Sequence, residues 1–365
     1  MKMTLKISKI EAICLICIVM ANQIILNMPR NIISAAGAAA WLNVVYISII
    51  AILIVLFISK LFQKFVGKDI LDISEYLGGK WLKIVVGISY IVMFVLISST
   101  VLQYFSEKLK LIYFHNTPIV VIISIFLLGA VLVNRIGIKS LFQVNIVIVI
   151  LLLISILLLI LSTSHLFVYD NLFPVLGRSA NDTFFSGLTN LFAFEGIAYL
   201  YFIMPILKNT KDFKKIAVIS TIISSIYLFL SITSLILVFA YIYKTEEMLL
   251  IYFLTRIAEF GDFLQRTDAL FVLLWILTVL SYTSIAMFFS THIFKRITNL
   301  SNYKPLLYTF VLLMFGVALI LTNIADSIHL QRTAYKYFQL ILIFVMSLSI
   351  LIGANIKKRI QKKDV

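Results

Sequence analysis

The sequence predicts an all-α integral membrane protein of ten transmembrane helices, an inverted repeat of five plus five with spans 1 and 6 interrupted. Three observations carry this. Hydrophobic residues make up 62% of the 365 and charged residues only 13%, where a soluble domain carries about half and about a quarter. The apolar residues run together, as in Ile146–Leu161, instead of alternating in the short segments of a membrane barrel; mean hydropathy is +1.08. The runs are roughly 20 residues long, enough to cross a hydrocarbon core of about 30 Å.

The spans follow in order. Span 1 covers 9–35, with Glu11 at its start, Asn22 and Gln23 near its middle and Pro29 beyond them; it is long enough for two half-helices. Span 2 covers 41–60 and span 3 covers 84–105, with Asp69, Asp72 and Glu75 in the loop between. Spans 4 and 5 cover 118–134 and 140–163, separated by a short basic turn. Span 6 covers 184–206 and span 7 covers 216–243. An outer loop, 244–268, places Met248, Leu249, Tyr252, Ile257, Phe260 and Phe263 at helix-like intervals, which fits either short amphipathic helices on the membrane face or a plain interfacial loop. Spans 8, 9 and 10 cover 269–292, 305–324 and 337–356. The whole chain, 1–365, then forms one transmembrane domain, with repeats at about 9–163 and 184–356.

The cations test the layout. The net charge is +15. With the N-terminus inside, 22 of the 31 Lys and Arg fall on the inner side and 9 on the outer. Cytoplasmic loops carry that excess in membrane proteins, so both termini are expected in the cytoplasm and the charge gives no reason to invoke nucleic acid. "AAGAAAW" (35–41) resembles a signal-peptidase site. The preceding run is too long and too polar for a signal segment, so span 1 is expected to remain uncleaved. Cys14 and Cys17 form a lone C-x-x-C without a second pair, and the four histidines are far apart. No metal site and no cofactor are expected.

Of all the acidic residues, Glu195 alone lies deep in a span. A charge at that depth costs about 2.5–3.5 kcal/mol, so such a residue faces a polar cavity or a partner, or is protonated. Gly196 follows it and loosens the helix. Freed backbone groups are tolerated at this depth only where they line a cavity, so a break is expected at Phe194–Glu195–Gly196. The plainer alternative is a protonated glutamic acid bonded to a neighbouring helix. Span 1 offers the counterpart break at Ala21, Asn22 and Gln23. Two broken helices in opposite orientation frame a midplane substrate site in inverted-repeat transporters. Freed N–H groups hold a carboxylate and a carboxylate holds an ammonium, which suits a zwitterion such as an amino acid. Side walls would come from Ser98, Ser99, Thr100, Leu102 and Gln103 on span 3 and from Ser281, Tyr282, Thr283 and Ser284 on span 8. Each hydroxyl alone more often joins helices in a membrane bundle than lines a site. Neither H-E-x-x-H, nor G-x-S-x-G, nor a P-loop occurs, so no enzymatic activity is expected.

Four stretches carry a family resemblance: "NMPRNIISAAGAAAWLNV" leaving span 1, "DNLFPVLG" before span 6, "FEGIAYLYFIMPIL" within it, and "FGDFLQRTDALFVLLWIL" entering span 8. Their order, with the chain length and ten-span layout, resembles the spore germination receptor B-subunit family (GerAB and GerKB type). That family lies within the amino acid–polyamine–organocation transporter superfamily, whose fold is LeuT-like. The resemblance implies a germinant-sensing subunit in the inner membrane of the endospore. Its partners would be a membrane-embedded A subunit and a lipoprotein C subunit, and its ligand a small nutrient. It maps the ligand site to Ala21, Asn22 and Gln23 and to Phe194, Glu195 and Gly196, with walls from spans 3 and 8. Many superfamily members have glycines where this chain has Ala21-Asn22-Gln23; side-chain amides can supply the donors instead. Two other readings stay open: a proton- or cation-coupled amino acid transporter, and a scaffold subunit with a vestigial cavity.

Overall fold

The apolar runs of the sequence become helices, seen in a computed structural model that describes residues 5–26, 28–239, 250–258, 267–300, 302–320 and 335–361. α1 (Lys9–Leu26) opens on a reciprocal cap: the Glu11 carboxylate accepts from the Ser8 N–H at 2.6 Å and the Ser8 hydroxyl accepts from the Glu11 N–H at 3.3 Å. Two orphan donors are satisfied at once, so Glu11 is a cap. α2 (Met28–Ala36) follows, and a 3₁₀ turn, Gly37–Ala39, leads into α3 (Ala40–Phe62).

The described part of span 1 shows no opening at the place the sequence suggests. Ala21, Asn22 and Gln23 sit within α1, and the helix is followed as far as Leu26. Nothing in that triplet breaks a helix: Ala is the best helix former, and Gln is close behind it. The expected backbone opening at 21–23 is corrected accordingly.

α4 (Ile70–Ile112) is longer than span 3 because the preceding loop is helical. Asp69 caps it, accepting from the Leu71 and Asp72 N–H groups at 3.0 and 3.1 Å, and Asp72 reaches back to the Asp69 N–H. Asp69, Asp72 and Glu75 thus belong to a capped helical segment, not to a loop. A kink at Gly78–Gly79 divides this segment from the membrane span, with Gly79 at φ 72°, a conformation that favours glycine. Gly137, at φ 153°, likewise makes the one-residue hinge between α5 (Ile119–Ile136) and α6 (Ile138–Thr163).

Span 6 is built in pieces. α7 (Ala180–Phe184) leads to a 3₁₀ helix, Ser186–Phe194, then to α8 (Ile197–Ile203) and a 3₁₀ turn, Met204–Ile206. The outer and inner pieces meet at 42°. α9 (Phe213–Val238), α10 (Leu250–Arg256), α11 (Thr267–Thr298), α12 (Leu306–Ile320) and α13 (Lys336–Gln361) complete the described chain. α13 contains a π-helical stretch, Ile341–Met346. Of the outer loop 244–268, the helix α10 is described; residues 244–249 and 259–266 lie outside the described residues.

Among the described residues, eight helices are long and apolar enough to cross a membrane, or nine counting the bent pair. α12 is a shorter apolar helix, and the end expected for its span, 321–324, lies outside the described residues. The outward faces are apolar: Leu128, Leu132, Leu157 and Leu161 are all more than half exposed. A helical protein in lipid satisfies its backbone internally and turns such a surface to the hydrocarbon. This is a multi-pass membrane protein.

Two ends can be told apart by contacts. At one, Ile7 pairs with Leu207, Phe62 packs on Phe213, Asn355 donates to the Leu61 carbonyl, and Arg296 forms ion pairs with Asp69 and Asp72. At the other, Asn43 meets Thr183 and Asn190, Val168 bonds to Leu237, and Tyr113 meets Asp268. The first set holds residues that the charge count places inside.

Candidate membrane-embedded ligand site

Span 6 bends where the sequence places its carboxylate. A nine-residue 3₁₀ helix ends at Phe194, and Glu195 and Gly196 turn the chain into α8. Runs of 3₁₀ longer than three or four residues are uncommon and mark hinges. Gly196 keeps ordinary right-handed angles, φ −55° and ψ −20°. Its value is closeness: a Cβ there would stand 2.8 Å from Met20 Cγ and 3.2 Å from the Ile16 carbonyl oxygen. The absent side chain lets the bend of span 6 lie directly against α1.

Glu195 is 3% exposed. Its Oε1 accepts a hydrogen bond from the Tyr282 hydroxyl of α11 at 3.0 Å, and its Oε2 has no partner among the described residues. No described Lys, Arg or His pairs with it. Gln23 of α1 lies beside both Glu195 and the Tyr282 hydroxyl, while neither of its amide atoms completes a hydrogen bond. Asn22, the next residue on α1, is fully buried with both amide atoms equally unpaired. Buried polar atoms are nearly always bonded. Here a carboxyl oxygen and two carboxamides are left over, the first at the bend of span 6 and the others on α1.

Tyr199 was not visible as a site residue in the sequence, although it stands four positions after Glu195 and hence one turn along the same face. Its hydroxyl is buried, unpaired, and close to both Glu195 and Tyr282. Its ring stacks on Phe94 of α4 at 4.5 Å and meets Phe289 of α11 edge-on at 5.2 Å. These rings close the site on the side toward Leu207.

The remaining candidates divide. Ser98 and Leu102 follow Phe94 by one and two turns on α4, so the face that stacks on Tyr199 carries them up to the level of Glu195. Both are buried, and Ser98 donates to the Phe94 carbonyl at 2.6 Å. Ser99 is turned about 100° from Ser98, and its buried hydroxyl is unpaired. On α11, Tyr282 faces Glu195, but Ser284 lies about 200° around the helix. Its hydroxyl bonds to the Leu280 carbonyl and its own carbonyl accepts from Asn134 of α5. Thr283 is buried with an unpaired hydroxyl. Ala21 faces away from Glu195, bordering a small void with Cys17, Ile24 and residues of α6 and α9. Phe194 is a buried ring at the bend. The geometry thus gathers Gln23, Glu195, Gly196, Tyr199 and Tyr282, and it turns Ser284 and Ala21 elsewhere.

Residues 6–329 match a family described as spore germination protein. The chain belongs to the spore germination protein family. Spore germination protein B2 of Bacillus subtilis (strain 168) is 24% identical over 273 residues, 74% of each chain. Spore germination protein KB of the same organism is 23% identical over 244 residues, 66% of this chain and 65% of that one. Among solved structures, the Eremococcus coleocola manganese transporter in complex with an aromatic bis-isothiourea substituted compound covers 96% of this chain and 79% of its own at a TM-score of 0.53 and 15% identity. A mutant of the same transporter gives 0.51. This member of the germination family is therefore built on a membrane-transporter fold.

Proposed function

We propose that the protein is the germinant-sensing membrane subunit of a spore germination receptor, binding a small nutrient, an amino acid in the first instance, at the bend of span 6. The observation that carries this is the unpaired Glu195 Oε2, buried at the bend of span 6 beside the unpaired amide of Gln23 on α1. A buried carboxylate with a vacant oxygen suits an ammonium group. The carboxamides of Asn22 and Gln23 suit the carboxylate of the same zwitterion, since side chains supply the donors where α1 stays helical. Ser98, Ser99 and Leu102 on α4 and Tyr282 and Thr283 on α11 supply the walls. In this reading the chain spans the membrane ten times as a five-plus-five inverted repeat, with both termini in the cytoplasm, in the inner membrane of the endospore. It signals to a membrane A subunit and a lipoprotein C subunit. Binding need only favour one arrangement of the hinge over another to be a signal.

The test is Glu195→Gln, measured in germinating spores and in purified form. The expected outcome is a lost germinant response with unchanged abundance in the membrane. An unaltered dose response would falsify the role of Glu195. A second reading, a proton- or cation-coupled amino acid transporter, draws on the transporter fold of the solved relatives. Liposomes carrying the protein separate the two: saturable amino acid binding without gradient-driven accumulation supports the sensor, and accumulation supports the transporter.

A further inference from the structure

We propose that the space enclosed by α6, α9, α10 and α11 is a binding site for the acyl chain of a bilayer lipid. The cavity holds about 200 Å³ and no charged side chain lines it. Ile156 and Leu159 of α6, Ile251 of α10 and Leu274 of α11 form much of its wall. Two hydroxyls on the wall are already used: Ser155 donates to the Leu152 carbonyl at 2.8 Å and Thr255 to the Tyr252 carbonyl at 2.7 Å. An apolar cavity of about 150 Å³ stays dry and admits a molecule the size of benzene, so this one has room for a stretch of hydrocarbon.

The mouth decides where the occupant comes from. Leu158 and Leu270 line the cavity and are 45% and 57% exposed. They lie on the faces of α6 and α11 that also expose Ile154, Leu161 and Leu273, the faces that meet lipid. The opening is therefore lateral, into hydrocarbon. A charged solute from water would leave its charges unpaired inside; a lipid chain leaves its headgroup at the surface. The site is separate from Glu195; Tyr227 of α9 borders both this cavity and the small void beside Ala21 and Ile24 of α1.

Trp275 provides the test. It is fully buried, away from bulk lipid, and its ring lies 6.3 Å from that of Phe271, which lines the cavity. In a Trp41→Phe, Trp81→Phe background it is the single tryptophan of the chain. The protein is placed in bilayers containing increasing fractions of phosphatidylcholine with brominated chains. The expected result is quenching of Trp275 that saturates at a low brominated fraction, and its loss in Ser155→Phe and in Ala258→Phe, which fill the cavity from different walls. Absent quenching, or quenching that tracks the bulk fraction linearly, overturns the proposal; that wild-type comparison decides the matter even if neither variant folds. Full quenching in a folded, filled variant also overturns it. So does quenching by a free brominated alkanol in detergent without quenching by the brominated lipid, since the site would then serve a dissolved apolar solute.

Discussion

At the residue scale, the site rests on one side chain that is present and one that is absent. Glu195 supplies a carboxyl where lipid surrounds the protein, and Gly196 lets that carboxyl approach α1. Two of the three atoms closest to a Cβ at position 196 belong to Met20, at 2.8 and 3.1 Å. Gly196→Ala should therefore force α1 and α8 apart and destabilise the purified protein by about 1–3 kcal/mol, the usual cost of overpacking. Adding Met20→Ala should recover most of that loss, a coupling that a double-mutant cycle reads directly from melting in detergent. If Gly196→Ala melts like the parent, the close approach is not under compression and Gly196 has another purpose. Glu195 was legible in the sequence because it is the single acid deep in an apolar span, and Gly196 because it follows. The reason for Gly196 was not legible: the chain neighbours suggest a loosened helix, whereas the contact that needs the glycine lies 176 positions upstream at Met20. Tyr199 escaped because a tyrosine among aromatics reads as packing until its hydroxyl is seen beside a carboxyl.

At the element scale, the bend of span 6 is tied to a second irregular helix. The π-helical stretch of α13 leaves its carbonyls out of step with the normal ladder. Tyr201 of α8 donates to the Ile343 carbonyl at 2.8 Å, and Ser347 donates to the Leu342 carbonyl at 2.9 Å while bonding to Tyr90 of α4 at 2.6 Å. A movement of α8 about the hinge is thereby felt in α13. Tyr201→Phe removes this donor to the Ile343 carbonyl, at a cost of about 0.5–1.5 kcal/mol. Hydrogen exchange should quicken at Ile341–Ser347 and not in α5 or α6; equal protection in both variants would mean that Tyr201 contributes nothing to holding the π-helical stretch. The positions of most spans were legible because a long apolar run has few ways to satisfy its backbone in lipid except as a helix. The irregularities were legible only where composition marked them. Glu195-Gly196 marks one. The π-helical stretch has no such mark, since Ile341–Met346 is as apolar as its surroundings. The polar Asn22-Gln23 marks a place where the helix continues. Polarity there brings no change of backbone.

At the scale of the whole molecule, the contacts sort the loops into two ends, and the proposed orientation rests on the cations. Lys6 donates to the carbonyl of Pro205, Lys358 to that of Lys64, and Arg296 is paired with Asp69 and Asp72. All of these stand at one end of the bundle and belong to the basic majority. Packing gathers these loops at one end, and the positive-inside rule makes that end the one expected in the cytoplasm. Both endogenous cysteines are buried, which makes the arrangement directly testable by single added cysteines. Lys64→Cys, Lys208→Cys and Arg359→Cys replace exposed or loop residues at the end assigned to the cytoplasm, and His115→Cys and Arg178→Cys replace exposed residues at the other. A membrane-impermeant maleimide added to intact cells should label the last two and spare the first three, and inverted vesicles should reverse the pattern. A split within either group would break the pairing of ends inferred from the contacts. A clean inversion of the two groups would keep the packing and overturn the orientation.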